Sequence, residues 1–132
     1  MTFERINPPQ LAAARGFSHA VVSDRPRTVY LAGQTALDRS GAIVGDDIVT
    51  QFEQALTNLL QALAAAGGSG ADLAAVTIYI VDMDAYLAHT REIGKVWRRL
   101  VGTEYPAMGG IGVSRLWDAA ALVEIQGVAV LE

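Results

Sequence analysis

At 132 residues the chain is long enough to enclose one hydrophobic core and too short for two, so a single domain over 1–132 is expected. Its 52% hydrophobic and 18% charged residues exclude a disordered chain, and a formal net charge of −4 with no Lys/Arg run excludes the basic field that nucleic acid requires. The lack of cysteine removes disulfides, thiolate nucleophiles and thiolate metal sites, and fits a reducing cytoplasm. Two distant histidines, His19 and His89, do not begin a metal site.

The N-terminal MTFERINPPQ has charges where a signal peptide needs its apolar region, and no apolar run approaches the ~18 residues that cross a bilayer. A soluble, cytoplasmic protein is expected. After Pro8-Pro9, the β-prone runs His19–Ser23 and Thr28–Gly33 flank the turn residues Asp24-Arg25-Pro26-Arg27 and read as two antiparallel strands. Gly33 ends the second strand, where a ligand or another backbone can come close. Asp46-Asp47 then suit a helix N-terminus.

From Ile48 to Ala66, Phe52, Leu56, Leu59, Leu60 and Leu63 recur at spacings of three and four, predicting a helix that Gly67 ends. Val76–Val81 is apolar on both faces, as a central strand would be. A second helix is predicted over Ala85–Val101, with Ile93, Trp97 and Leu100 on one face and Arg91, Lys95, Arg98 and Arg99 toward solvent. Two more strands follow, Gly109–Arg115 and Ala121–Leu131.

The order ββαβαββ implies an α+β fold, a mixed sheet with both helices on one face. Strand periodicity puts Val123, Ile125, Ala129 and Leu131 beneath the helices and leaves Leu122, Glu124, Gln126, Val128 and Val130 on a face that two helices cannot cover. A subunit interface there is the economical expectation. Glu124 sits among apolar strand neighbours, where a carboxylate needs a donor, a cation or water. Two roles fit it, an acid/base or water-holding group and a structural carboxylate at an interface.

Between the second helix and the next strand lies Thr103–Val113, TEYPAMGGIGV. Pro106 turns the chain out of the helix, and Gly109 and Gly110 leave backbone N–H groups uncovered, which suits an anion or a carbonyl oxygen. Met108 can offer only hydrocarbon contact. Gly67–Gly70 follows a helix and lacks a Lys-Ser/Thr, so it is a connection and not a phosphate loop.

Six segments, in order, resemble the RidA family (YjgF/YER057c/UK114): GFSHAV at 16–21, VYLAGQTALD at 29–38, QFEQALTNLLQALAAAGG at 51–68, VTIYIVDMDAY at 76–86, YPA at 105–107 and VEIQGVAV at 123–130. The resemblance implies a chorismate-mutase-like fold assembled as a homotrimer with a central barrel and small-molecule clefts between subunits. It implies hydrolysis of reactive enamines and imines without metal or organic cofactor, with Glu124 as the water-positioning glutamate. Around the cleft it places Gly33, Phe17 where the family has a tyrosine, Arg91 near a polar helix position, and Ala107. Met108 stands where an arginine after Pro-Ala clamps the substrate carboxylate. Standard 2-imino-acid deamination is therefore not expected of this chain. A related imine or carbonyl hydrolase, or a non-catalytic trimer binding a metabolite or protein, fits better; ribonuclease or translation-inhibitor activity is disfavoured by the acidic charge.

Overall fold

The apolar stripe at residues 48–66 forms a helix in the computed structural model, which describes residues 2–132. In chain order the elements are β1 (Phe3–Ile6), β2 (Ala20–Ser23), β3 (Arg27–Gln34), α1 (Ile48–Ala65), β4 (Leu73–Ile80), α2 (Met83–Ala88), α3 (Thr90–Leu100), β5 (Ala107–Gly112) and β6 (Val123–Leu131). Asp47 caps α1 by accepting from the Thr50 N–H at 2.9 Å, and that bond with the Thr50 hydroxyl holds its carboxyl below the ordinary carboxylate range. At the other end Gly67 takes φ +94° and the N–H of Gly68 returns to the Leu63 carbonyl at 3.0 Å.

The main sheet has the order β3-β6-β4-β5, with β4 and β5 parallel and the other neighbours antiparallel. α1 packs across β3 and β6 and against α3. Phe52, Leu56, Leu59 and Leu63 of α1 meet Val123, Ile125 and Ala129 of β6, all essentially without solvent access. Each such leucine or phenylalanine contributes roughly 1.5–3 kcal/mol of burial. The alternation expected of β6 is present: Val123, Ile125, Ala129 and Leu131 are buried, while Glu124, Val128 and Val130 are half-buried and Gln126 is exposed.

Several expected boundaries are corrected. The two N-terminal strands do not pair with each other: β2 pairs with β1, and β3 with β6. No sequence pattern marks β1, which side chains secure beside its pairing with β2. The Arg5 and Arg25 guanidinium groups lie 4.5 and 4.7 Å from the Phe3 ring centroid, and Arg25 also donates to Asp72 at 2.8 Å and to the Val130 carbonyl at 3.1 Å. The predicted single helix of 85–101 is two. Asp82 starts α2 by accepting from Ala85 N–H at 3.0 Å, and the His89 ring lies 2.8 Å from the Ala85 carbonyl oxygen that a continuous helix would give to the His89 N–H. β5 begins at Ala107 and ends at Gly112, so Met108 and the glycines lie within a strand and Arg115 lies beyond it.

The sheet face away from the helices is open. Tyr30, Val128, Ala75 and Ala107 stand in register across all four strands, and Tyr30 is 82% exposed. Ile111 on the same face is also exposed. No helix is long and apolar enough to cross a membrane among the described residues.

Candidate functional site

Glu124 projects from β6 onto the open face, opposite Tyr79 of β4. Beside it the pairing of β3 with β6 slips between Leu31 and Gln34, and Gly33 occupies the slip. A Cβ on Gly33 would overlap the Glu124 carboxylate, so the close approach that a glycine permits here is made by that carboxylate. No hydrogen bond or ion pair from the described residues engages it. A cavity of about 400 Å³ opens next to it, lined by Gly33, Gln34, Thr35, Trp117, Asp118 and Glu124 among others. The lining holds two carboxylates and no cation, and Trp117 is 96% exposed.

Two amides, one buried and one half-buried, hold this cavity in place. Gln51 of α1, 1% exposed, donates to the carbonyls of Gly45 and Ala120 at 3.0 and 3.1 Å and accepts from the Leu122 N–H at 2.8 Å, which fixes the entry into β6. Asn58 donates to the carbonyls of Thr35 and Leu37 at 3.1 and 2.8 Å, which fixes the segment after β3. Both lie on α1 beside the apolar stripe, where glutamine and asparagine ordinarily read as solvent-facing. Each buried donor and acceptor here has a partner, as burial demands.

Met108 lies elsewhere. It pairs with Val76 on the helix side of the sheet and packs against the core. A cavity of about 300 Å³ between β4, β5 and the helices is lined by Met108, Ile78, Trp97, Tyr105, Tyr86 and Thr90, with Arg15 and Arg98. Trp97 and Tyr105 stack at 6.4 Å with their planes 20° apart. Trp97 Nε1 is buried with no acceptor among the described residues. Burial pushes the Tyr86 hydroxyl up to about 12. Neither Arg15 nor Arg98 has an acidic partner, since the ion pairs among the described residues are Arg5–Glu104, Arg25–Asp72, Arg25–Glu132 and Arg99–Glu53.

The expected site residues thus divide. Glu124 and Gly33 are brought together; Met108 is on the other side of the sheet. Ala107 pairs with Ala75 on the open face, next in the chain to Met108 but facing away from it. Phe17 is half-buried, edge-on to His19 at 5.0 Å, and its neighbour Ser18 ties the segment to the Pro106 turn: Ser18 N–H donates to the Pro106 carbonyl at 2.9 Å and its hydroxyl to the Tyr105 carbonyl at 2.7 Å. Arg91 is exposed and does not line the Met108 cavity; its chain neighbour Thr90 does. Arg98 is exposed, as expected of a solvated helix charge, and stands at the mouth of this cavity. Arg15 carried no motif in the sequence. No group of three or more His, Cys, Asp or Glu side chains has a metal-binding arrangement among the described residues.

A family model described as endoribonuclease L-PSP matches residues 8–131. The 2-iminobutanoate/2-iminopropanoate deaminase of Capra hircus is 32% identical over 120 residues, covering 90% of this chain and 82% of that protein. The crystal structure of the Rid-family protein YyfB from Yersinia pestis, of unknown function, superimposes with a TM-score of 0.89 at 34% identity, covering 99% of this chain and 100% of that one. Escherichia coli TdcF with bound serine superimposes with a TM-score of 0.70 at 26% identity, covering 98% and 100%.

Proposed function

The chain belongs to the endoribonuclease L-PSP family, the RidA/YjgF group, and from that premise we propose that it is a cytoplasmic homotrimer that hydrolyses a small, largely apolar imine or enamine in clefts between subunits, with Glu124 as the acid/base group. The observation that carries this reading is the Glu124 carboxylate lying over Gly33 beside an open cavity, without a partner that would make its role structural. The trimer is supported by the open apolar sheet face and by the division of the site. Glu124 and Met108 face opposite sides of one sheet, so one chain cannot apply both to the same small molecule; a neighbouring subunit supplies the second half.

The chemistry needs only water as co-reactant. An enamine protonated at carbon becomes an iminium ion. Glu124 takes a proton from water as the water oxygen adds to the iminium carbon, and returns that proton to nitrogen. The C–N bond then breaks, its electron pair leaves on ammonia, the hydroxyl proton passes to the Glu124 carboxylate, and a carbonyl remains.

The test is ammonia release from freshly generated 2-aminoacrylate and from the imines of larger 2-oxo acids. Glu124→Gln is expected to lower turnover ~100-fold or more. Equal rates for the variant would remove Glu124 from the chemistry, and a monomer by light scattering at micromolar concentration would remove the trimer. A second reading, a trimer that binds a metabolite without converting it, is favoured by Met108, an uncharged side chain where the family's clamp stands. Under that reading ligands bind with no conversion in any assay.

A further inference from the structure

Trp117 is the most exposed of the large apolar side chains among the described residues, at 96%. An indole left in water forgoes the burial that the chain's other tryptophan, Trp97, obtains in the core. The loop that carries Trp117 is nevertheless fixed. The Asp118 carboxylate accepts from the Ala120 N–H at 2.9 Å and the Asp118 carbonyl from the Ala121 N–H at 3.0 Å, while the buried Gln51 side chain holds the Ala120 carbonyl and the Leu122 N–H. The indole therefore stands out from a braced turn, and the glutamine that fixes the entry into β6 also fixes its base.

That position is beside Glu124. Both side chains line the cavity on the open face, together with Asp118 and with Leu37 from the segment after β3. Leu37 is exposed as well, and Asn58 holds its carbonyl at 2.8 Å. Two carboxylates, an aromatic face and no cation are the complement of an organic cation, because the negative face of the ring and the acidic groups attract the same charge. The proposed hydrolysis forms such a cation in reach of Glu124. Its iminium ion is planar, so one face can lie on an indole while the other stays open to water.

We propose that Trp117 is a specificity-determining residue of the Glu124 site, its indole face holding the planar, positively charged C=N group of an iminium substrate, with Asp118 adding charge beside it. This rests on the reading of Glu124 as the acid/base group, and it names the form of substrate that the cavity takes. A protonated or N-alkylated iminium is held in preference to a neutral imine. The carbonyl product has lost the charge, so the indole that holds the substrate releases the product. A volume of about 400 Å³ admits a small flat cation with room for water.

The probes are 1-methylpyridinium, a flat cation, and toluene, the same shape without the charge, each titrated by calorimetry against the full chain. Wild type is expected to bind the cation ~5-fold or more tightly than toluene. Trp117→Leu should remove that preference, Trp117→Phe should keep part of it, and both should melt as wild type does, since the side chain is exposed. Asp118→Asn, which keeps an oxygen for the Ala120 N–H, should weaken the cation ~2-fold or more and leave toluene unchanged. The proposal is overturned if the cation does not bind, if toluene binds as tightly, or if Trp117→Leu retains the preference. A lower melting temperature with a dissociated assembly in Trp117→Leu would place the indole in a subunit contact and overturn it too. Ammonia release separates it from the reading it rests on. A Trp117-dependent preference for the cation in a protein that releases no ammonia keeps the cation site and rejects the hydrolysis; Glu124-dependent ammonia release with unchanged kcat/KM in Trp117→Leu keeps the hydrolysis and rejects the cation site.

Discussion

Two cavities of this chain are opposites. The one on the open face has Glu124 and Asp118, a glycine at a strand slip and no cation; the one on the helix side has Arg15 and Arg98, an aromatic wall and no acid. The proposed acid/base group and the two arginines thus lie on separate faces of one sheet, where a carboxylate within reach of Arg98 would pair with it and be held ionised. The difference teaches that one chain cannot apply both to the same small molecule, and that a substitution in one cavity should leave the walls of the other in place.

The sharpest way to break that independence is Gly33→Ala. The added Cβ overlaps only the far end of the Glu124 side chain, which can swing aside, so stability should change by less than about 1 kcal/mol. Imine hydrolysis should nonetheless fall ~100-fold, as in Glu124→Gln, with the fold intact. An unchanged rate would show that the position of the carboxylate over Gly33 does not matter to the reaction.

A smaller effect is expected at high pH on the helix side. Tyr86 is half-buried, and the loss of water around its hydroxyl raises its pKa from 10.0 to about 12. Below pH 10 it is neutral in folded and unfolded chains, and its contribution is fully present. As pH rises from 10 to 12 the unfolded chain ionises first, and up to about 2–3 kcal/mol of stability is lost. Tyr86→Phe should lack that part of the alkaline decline, read from denaturant unfolding at pH 9 and pH 11.5. Parallel curves for the two proteins would mean that the hydroxyl is open to water.

The least effect on either cavity is expected from Asp47→Ala, which removes the α1 cap. It should cost about 1 kcal/mol at neutral pH and leave turnover unchanged. Because the folded carboxyl is held below its ordinary value, the cap's contribution is present above pH 4 and fades as pH falls further; the variant and wild type should converge in acid. Persistence of the difference at low pH would reassign the effect to helix propensity.

Much of the fold was legible because it rests on periodicity. The stripe of α1, the alternation in β6 and the doubly apolar β4 each encode a burial pattern that local geometry repeats. The pairing of β1 with β2 was not legible, since Phe3 is held by Arg5 and Arg25 and no local pattern announces it. The break at His89 was equally hidden, because a helix ends there through one side chain bonding a carbonyl that the next turn would have used. At the site, Glu124 and Gly33 were found as polar and small residues in apolar strands. Gln51 and Asn58 were missed because each is of a type that ordinarily faces water.

What the sequence determined by itself is the set of faces: which residues of each helix and strand turn inward, and that one side of the sheet has nothing within the chain to cover it. Those follow from the helix and strand repeats, which need no knowledge of distant partners. What only the tertiary structure decided is which polar groups share a cavity. Glu124 meets Gly33 through the slip between β3 and β6, and Arg15 and Arg98 line one cavity from positions more than half the chain apart, because side-chain chemistry is assembled by packing between elements, and no local repeat carries that information.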